Sequence, residues 1–192
     1  MNTKSWKYLN DYEIRIVDTF KSDPNFALLR DSLLLNAPLT DSLLTDQEKA
    51  KKSQLDEHSS KLIHFKIGAY YQNQLIGFSR AFQKETVLLH MAMSCVHPDH
   101  QRKGIYSEFL RATLAFAKEN GFQAVESCHR STNNPIIIAK LRAGFVINGM
   151  TVSDLMGCLV KLTYFHNEKR KALIEMRSGQ LRPHGELRDL FF

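Results

Sequence analysis

Cysteine is scarce in this sequence, and long hydrophobic runs are missing. The three cysteines, Cys95, Cys128 and Cys158, are odd in number, and no two are closer than thirty residues. This spacing excludes the paired patterns of zinc sites and predicts reduced thiols in a cytoplasmic protein with no metal. No apolar run approaches the ~18 residues of a membrane-spanning helix. The first residues also lack the apolar stretch of a signal peptide, so we expect no membrane partner.

Two common nucleotide-binding motifs are absent as well. Neither G-x-G-x-x-G nor G-K-[ST] occurs, which excludes a dinucleotide fingerprint and a P-loop. The composition is that of an ordinary globular protein, with 43% hydrophobic and 24% charged residues. For 192 residues this predicts one domain over residues 1–192, large enough to fold without a disulfide or a metal.

The chain is moderately basic. It carries 26 Lys and Arg against 20 Asp and Glu, a net charge of +6. This charge permits a nucleic acid, a membrane surface or an anionic cofactor as partner. The densest basic run lies at residues 166–177, where a solvated helix face is the simpler interpretation. Because no stacking aromatic pattern accompanies the cations, a nucleic-acid partner is disfavoured.

The hydrophobic pattern predicts an α+β fold. Residues 1–60 are mostly helical in pattern, with one helix starting at Asp23-Pro24 and stopping at Pro38, and a second opening on a Thr45–Glu48 capping box. Three antiparallel strands joined by short hairpins follow, at residues 61–71, 74–83 and 86–96. Next come a helix (104–120), a strand (122–128) and a second helix (135–144). Two strands (145–152 and 155–164) and a last helix (166–177) complete the pattern.

The order strand–helix–strand requires a parallel pair within this mixed, mostly antiparallel sheet. We expect the parallel junction near Val96 and Phe122, where a ligand would bind at the carboxyl ends of strands. Strand alternation further predicts that His90, Ala92 and Ser94 share one face of the sheet.

The most informative segment is SCVHPDHQRKGIYSE, at residues 94–108. Pro98 ends the strand because it has no N–H, and Gly104 allows close approach of the backbone or a positive φ. The N–H groups of the following helix turn attract an anion, and Arg102 and Lys103 add charge at the same end. The segment predicts a phosphate or pyrophosphate site. A plain strand–turn–helix junction with solvated cations is the alternative.

Two motifs resemble those of the GNAT superfamily of N-acetyltransferases. Val96-x-Pro98-x-x-Gln101-x-x-Gly104 is similar to its acetyl-CoA signature, V-x-P-x-x-[QR]-x-x-G-x-[GA]. Asn133-Asn134-Pro135 followed by Gly144-Phe145 is similar to its closing segment. The resemblance covers about residues 61–164. It implies a GNAT-like sheet with flanking helices and a splayed parallel junction, and acetyl transfer from acetyl-CoA to a primary amine by direct attack in a ternary complex.

The resemblance also assigns site residues. It implies that acetyl-CoA is held by a set of groups at the strand end, the turn and the second helix: Cys95, Val96, Gln101, Arg102, Lys103, Gly104, Ile105, Tyr106, Asn133 and Asn134. A backbone N–H of Cys95 or Val96 would stabilise the oxyanion. The candidate general bases are His90 and Glu126. Tyr106 departs from the small residue of the signature.

A second departure is more consequential. Lys140 stands where the family often carries the tyrosine that protonates the leaving thiolate, so Lys140 is a candidate catalytic acid, a phosphate contact or a solvated helix lysine. This leaves a catalytically degenerate CoA-binding sensor or scaffold as the alternative function. We expect residues 1–60 to form the acceptor side and residues 165–192 to form a C-terminal helix and tail. Homodimerisation and the identity of the amine stay open.

Overall fold

The computed structural model describes residues 4–33, 44–154, 156–179, 181–182 and 185–190. Its centre is one eight-stranded sheet in the spatial order β1-β2-β3-β4-β5-β6-β8-β7. The strands are β1 Ser5–Tyr8, β2 Tyr12–Ile16, β3 His64–Tyr71, β4 Gln74–Glu85, β5 Leu88–Val96, β6 Ala124–Arg130, β7 Val146–Ser153 and β8 Gly157–Phe165.

Helices cover both faces of this sheet. They are α1 Pro24–Leu33, α2 Asp46–Ser60, α3 Ile105–Glu119, α4 Asn134–Arg142 and α5 Glu168–Arg177, with short 3-10 turns at Pro98–His100 and Gly185–Leu190. The largest core cluster lies under α3 and α4. On the opposite face, α1 packs on β4 and β5 while α5 packs on β7 and β8. Within the described residues, no helix is long and apolar enough to cross a membrane.

The predicted α+β class is confirmed. Every pairing is antiparallel except that of β5 with β6. The predicted turn between β3 and β4 is confirmed too, since Gln72 and Asn73 have φ of 47° and 63°. Positive φ at both central residues is the signature of the type I′ hairpin, whose twist matches that of the strands.

The N-terminal prediction is wrong in part. Residues 1–60 were expected to be mostly helical, but β1 and β2 form an antiparallel hairpin that extends the sheet beside β3. The strands are only four and five residues long, so their period-two pattern is a weak signal on its own. Pairing with β3 decides the outcome, because it buries Ile14 completely. Pro38 and Leu155, expected at the end of a helix and the start of a strand, fall outside the described residues.

The parallel junction lies near Phe122, as predicted, but not near Val96. β5 and β6 pair only where Leu88, Leu89 and His90 face Ala124, Val125 and Glu126. Val96, predicted near the junction, is at the far end of β5, where the two strands have separated. The sheet therefore contains a fork that begins directly after the pair His90 and Glu126.

A β-bulge in β5 changes which side chains share a face. Arg80 of β4 lies opposite Met93, whereas its neighbour Ala81 lies opposite Met91, so Ala92 is an extra residue. Met91 packs into the core under α3, and Met93 packs on the other face near α1. The expected shared face of His90, Ala92 and Ser94 is therefore wrong, because simple alternation stops at the bulge.

Candidate active site

A cavity of about 470 Å³ lies between the end of β5 and the first turns of α3 and α4. Eight of the ten residues proposed from the sequence to hold acetyl-CoA line it, all except Lys103 and Asn134. The remaining lining residues, which sequence reasoning missed, are Ser94, His100, Ser107, Pro135, Ile136 and Ala139. The two segments that are thirty residues apart in the sequence thus meet around one cleft, which we call the turn cavity.

The turn that enters α3 presents bare backbone donors to this cavity. Arg102 and Gly104 both adopt positive φ, 59° and 76°, and Gly104 is the N-terminal cap of α3. Within the described part of the chain, no group accepts a hydrogen bond from the backbone N–H of residues 102–107. Six N–H groups at a helix N-terminus form a ready site for an anion, since the helix dipole adds to their partial charges.

The polar side chains of the turn mostly support the turn itself. The Gln101 amide donates to the Val96 carbonyl at 3.0 Å, which ties the turn to the end of β5. The Lys103 ammonium donates to the Tyr12 hydroxyl at 2.9 Å. Arg102 is exposed. The Gln101 and Lys103 side chains are therefore already hydrogen-bonded within the protein, whereas the backbone N–H groups of residues 102–107 have no partner among the described residues.

The N-terminal hairpin braces the same turn, which sequence reasoning did not foresee. Trp6 Nε1 donates to Glu108 Oε1 at 2.7 Å, and the Tyr8 hydroxyl donates to the Lys103 carbonyl at 3.1 Å. The Tyr12 hydroxyl lies 3.0 Å from Nδ1 of His100. The alternation of Trp6 with Tyr8 was the available signal, because aromatic residues at every second position favour a strand.

A second cavity of about 300 Å³ continues the first one. The two share Ser94, Tyr106, Asn133 and Ile136. Met91 and Lys140 line it from the α3 side of the sheet, whereas Met93 and Cys128 reach it from the other side. This cavity therefore passes through the fork between β5 and β6, and we call it the fork cavity. Asn133 is the N-terminal cap residue of α4, its side chain makes no cap hydrogen bond, and it lines both cavities.

Lys140 is the most unusual residue of the fork cavity. Its side chain is fully buried, its Nζ lies 3.2 Å from Met91 Sδ and 4.3 Å from the centre of the Phe145 ring. Among the described residues it has no carboxylate partner. Burial lowers the pKa of Lys140 to about 7. The amine is therefore divided between its neutral and charged forms near neutral pH, which suits a proton donor. The expectation of a solvated helix lysine does not fit this burial.

Two further titratable groups line the fork cavity. The Tyr106 hydroxyl is buried and has no hydrogen-bond partner in the described structure, and burial raises its pKa. His129, which sequence reasoning missed, lies 3.1 Å from the Ser127 hydroxyl. Burial, then the charges of Lys140 and His90, lower the pKa of His129 to about 4, so the ring is neutral at pH 7.

His90 and Glu126 meet at the base of the fork. His90 Nδ1 lies 3.0 Å from Glu126 Oε1, and the two residues form the last pair before the strands separate. An ionised carboxylate only accepts hydrogen bonds, so the proton is assigned to Nδ1 and Nε2 keeps its lone pair. Burial lowers the pKa of His90 and outweighs the opposing effect of Glu126. The imidazole is therefore neutral at pH 7.

Glu126 is held ionised by its neighbours. Its side chain is 1% exposed, and it pairs with Lys84 at 2.5 Å and with Lys161 at 3.3 Å. Burial alone would raise the pKa of Glu126, but the hydrogen bond and charge of Lys84, with Lys161 and His90, lower it overall. A carboxylate bound by two ammonium groups is a poor base. The geometry therefore favours His90 over Glu126 as the group that takes up a proton.

Cys95 lines the turn cavity, but its thiol lies on the α1 side of the sheet. The Sγ atom points to the Leu29 carbonyl at 3.7 Å, on the α1 side of the sheet. Burial raises the pKa of Cys95 to about 11, which keeps the thiol protonated and unreactive. Over the described ranges, no three His, Cys, Asp or Glu side chains gather in a way that could hold a metal ion.

Comparison with known proteins decides the family. The sequence model of the Acetyltransferase (GNAT) family matches residues 28–145, more than half of the chain. The chain belongs to the GNAT acetyltransferase family. The match includes the turn after β5, the pair His90 and Glu126, and Lys140. No curated protein matches the sequence of this family member.

Solved structures share the fold of this GNAT family member at low sequence identity. A putative acetyltransferase from Salmonella typhimurium with its cofactor acetyl-CoA is 15% identical, with a TM-score of 0.62 over 83% of this chain and 96% of that one. The ribosomal-protein-S5-alanine acetyltransferase from Vibrio fischeri is 12% identical, with a TM-score of 0.63 over 86% and 98%. A GNAT family acetyltransferase from Elizabethkingia anophelis with acetyl-CoA bound is 15% identical, with a TM-score of 0.56 over 81% and 99%.

Proposed function

We propose that this chain transfers the acetyl group of acetyl-CoA to the primary amine of a small molecule or a protein, by direct attack in a ternary complex. The observation that carries the proposal is the row of unpaired N–H groups at Arg102 and at residues 104–107, five residues that line a cleft of about 470 Å³. A diphosphate is the part of CoA that such a row of donors fits.

The rest of the cleft suits the remainder of the substrate. From the turn, the path to the fork cavity runs past Ser94, Tyr106, Asn133 and Ile136. The unpaired edge of β5 along this path offers backbone groups that can pair with amides of the pantetheine arm like an added strand. A backbone N–H of Cys95 or Val96 would then meet the thioester carbonyl oxygen as negative charge develops there.

His90 is proposed as the general base. Its Nε2 accepts a proton from the ammonium form of the acceptor, directly or through a water molecule, and Glu126 holds the ring and stabilises the imidazolium that results. The freed amine nitrogen attacks the thioester carbonyl carbon. The imidazole returns its proton to water afterwards, so it ends the cycle neutral.

Lys140 is proposed as the general acid. When the C–S bond breaks, the electron pair stays on sulfur, and the protonated Lys140 amine gives its proton to the thiolate. The second proton of the amine nitrogen leaves to water, and Lys140 is protonated again. The products are an N-acetyl amide and the free thiol of CoA. An amine with a pKa of about 7 can both give and regain a proton near neutral pH.

A CoA-binding protein without turnover is the second candidate, favoured by the presence of Lys140 at the family's tyrosine position. Calorimetry with acetyl-CoA, combined with detection of free thiol across a panel of amines, separates the two. An enzyme binds acetyl-CoA and releases thiol in the presence of some amine. Binding without thiol release from any amine would support the sensor, and absence of binding would contradict both candidates.

A further inference from the structure

On the sheet face opposite α3 and α4, between α1 and α5, the described residues include several partly exposed cations. Lys84 and Lys161 there are 45% and 38% exposed, and His90 is 18% exposed. The fork cavity opens toward this face through Met93 and Cys128. An amine acceptor that reaches the fork from this side would pass over these residues. We call this side of the sheet, between α1 and α5, the open face.

Two cations of the open face oppose each other across neighbouring strands. Lys66 of β3 lies directly opposite Arg80 of β4, and Arg80 lies opposite Met93 of β5. Like charges in directly opposed positions destabilise a sheet. Burial, followed by the charges of Arg80 and Lys21, lowers the pKa of Lys66 against the opposing effect of Asp18, so the two cations are close enough to interact.

Neither cation is neutralised by a carboxylate contact in the described structure. The Lys66 ammonium donates to the backbone carbonyl of Asp18 at 2.5 Å. Arg80 is half-buried, and no described residue forms an ion pair or a hydrogen bond with its side chain. A sheltered guanidinium without a counter-ion is costly, and such local conflicts tend to occur at functional sites.

Arg80 and Lys66 are better placed to bind a ligand than to stabilise the fold. Arg80 is one strand away from Met93, which lines the fork cavity, and neighbouring strands are only about 4.8 Å apart. A small molecule with its amine at the fork can therefore place a second group over Arg80. The planar guanidinium group of Arg80 can donate two parallel hydrogen bonds to the oxygens of a carboxylate or a phosphate. Lys66 adds a second positive charge.

We propose that the amine acceptor carries an anionic group, a carboxylate or a phosphate, which Arg80 and Lys66 bind on the open face. This inference rests on the proposed acetyl transfer and narrows its substrate class. It concerns the acceptor alone. Binding of acetyl-CoA by the turn cavity does not depend on it, because the two sites lie on opposite faces of the sheet.

The test compares matched acceptors that differ in charge. Initial rates are measured with amino acids and their carboxamides for the carboxylate arm, and with phosphoethanolamine and ethanolamine for the phosphate arm. We expect the anionic member of at least one pair to have a kcat/KM about tenfold to a hundredfold above its neutral partner, the range of a charge-assisted hydrogen-bonded contact. The arm that shows this preference identifies the anion.

Variants locate the preference. Arg80→Gln should raise the KM of the anionic acceptor until the pair is no longer distinguished, while the rate with the neutral acceptor and the Kd of acetyl-CoA stay unchanged. Arg80→Lys should restore part of the preference, since a lysine keeps the positive charge but lacks the planar guanidinium group. Arg142→Gln is the matched control, because Arg142 is an exposed arginine of α4 on the other side of the sheet.

Several outcomes would overturn the inference. They are equal rates for both members of every pair, an unchanged preference in Arg80→Gln, or acetylation of no anionic amine by a protein that binds acetyl-CoA. The first two leave acetyl transfer intact. A protein that fails to bind acetyl-CoA in calorimetry would instead refute the proposed function, and this inference with it.

Discussion

The Tyr8 hydroxyl occupies the space that a Cβ atom at Gly104 would need, so the first strand closes over the turn that starts α3. Two features favour glycine at position 104. Its φ is positive, at 76°, and a side chain there would overlap the Tyr8 hydroxyl. The hydroxyl also donates to the Lys103 carbonyl, which ties β1 to the turn. The N-terminal hairpin therefore sets the shape of a site that lies about a hundred residues later in the chain.

Gly104→Ala should weaken acetyl-CoA binding. A side chain at this position strains the backbone by about 1–2 kcal/mol and would overlap the Tyr8 hydroxyl, so either the turn or the Tyr8 side chain must shift. Loss of one or two charge-assisted hydrogen bonds, about 1.5–3 kcal/mol each, predicts at least about a tenfold rise in the Kd. Calorimetry with acetyl-CoA measures it.

Gly121→Ala is the matched control for this variant. Gly121 ends the same helix with a φ of 80°, and no atom lies within 4 Å of where its Cβ would be. It should cost similar strain in a denaturant titration and leave the Kd of acetyl-CoA unchanged. Equal affinity of the wild type and Gly104→Ala would contradict the assignment of the turn.

Lys140→Met should flatten the dependence of stability on pH. The pKa of Lys140 falls from 10.5 in the unfolded chain to about 7 in the fold, so the unfolded state binds more protons between these values. The free energy of unfolding of the wild type should therefore rise between pH 7 and 10, by up to several kcal/mol, and Lys140→Met should lack this rise. Urea titrations at pH 7 and 9.5 measure the difference.

The exposed Lys118→Met on α3 serves as the control for that experiment, since it should keep the pH dependence of the wild type. The turnover of Lys140→Met is a second readout. If Lys140 supplies the proton to the thiolate, kcat should fall by about 10²–10⁴-fold. A pH dependence identical to that of the wild type would show that the amine is not sheltered as described.

His90→Gln should lower the turnover at pH 7 while the affinity for acetyl-CoA is retained. As the proposed general base, His90 acts in its neutral form, and burial lowers its pKa below the ordinary value of 6.5. The wild-type rate should therefore decline on the acidic side, with a midpoint below pH 6.5. Stopped assays from pH 5 to 9 follow this limb, which His90→Gln should lack.

His64→Gln provides the comparison, because His64 is the other imidazole beside the Phe82 ring. That variant should reproduce the wild-type pH profile. Should His90→Gln keep both the wild-type rate and the acidic limb, His90 would have no part in the mechanism.

Glu126→Gln should destabilise the fold at neutral pH. The change leaves Lys84 and Lys161 without their shared carboxylate, and a loss of about 1–3 kcal/mol is expected for a buried charged hydrogen bond. Because the folded pKa of Glu126 is lowered, its stabilisation is complete above the unfolded value of about 4.5 and disappears as the pH falls through the folded pKa.

Thermal or urea unfolding of both proteins at pH 7 and pH 3 checks this. The difference between Glu126→Gln and the wild type should be smaller at pH 3 than at pH 7. Glu85→Gln, at an exposed carboxylate where β4 ends, should change little at either pH. A difference of equal size at both pH values would mean that the charge of Glu126 contributes nothing.

Local signals predicted much of the fold around the site. The run at residues 94–108 predicted the strand end, the turn and the helix, because Pro98 and Gly104 act on their own backbone. The strand-like composition of the hairpin strands and the turn at Gln72 and Asn73 were also readable, since both are properties of neighbouring residues. The short first strands were missed because their stability depends on a partner, β3, that lies fifty residues away.

By itself, the sequence determined the family, the mixed sheet and the strand–turn–helix segment at residues 94–108, because each depends on patterns in contiguous residues. Only the tertiary structure decided where the sheet forks, that Lys140 is buried beside Met91, and that His90 lies against Glu126. Those facts depend on the bulge at Ala92 and on the register of strands distant in the chain. The burial that lowers the pKa of Lys140 and His90, and the contacts with Lys84 and Lys161 that keep Glu126 ionised, exist only once those strands have packed.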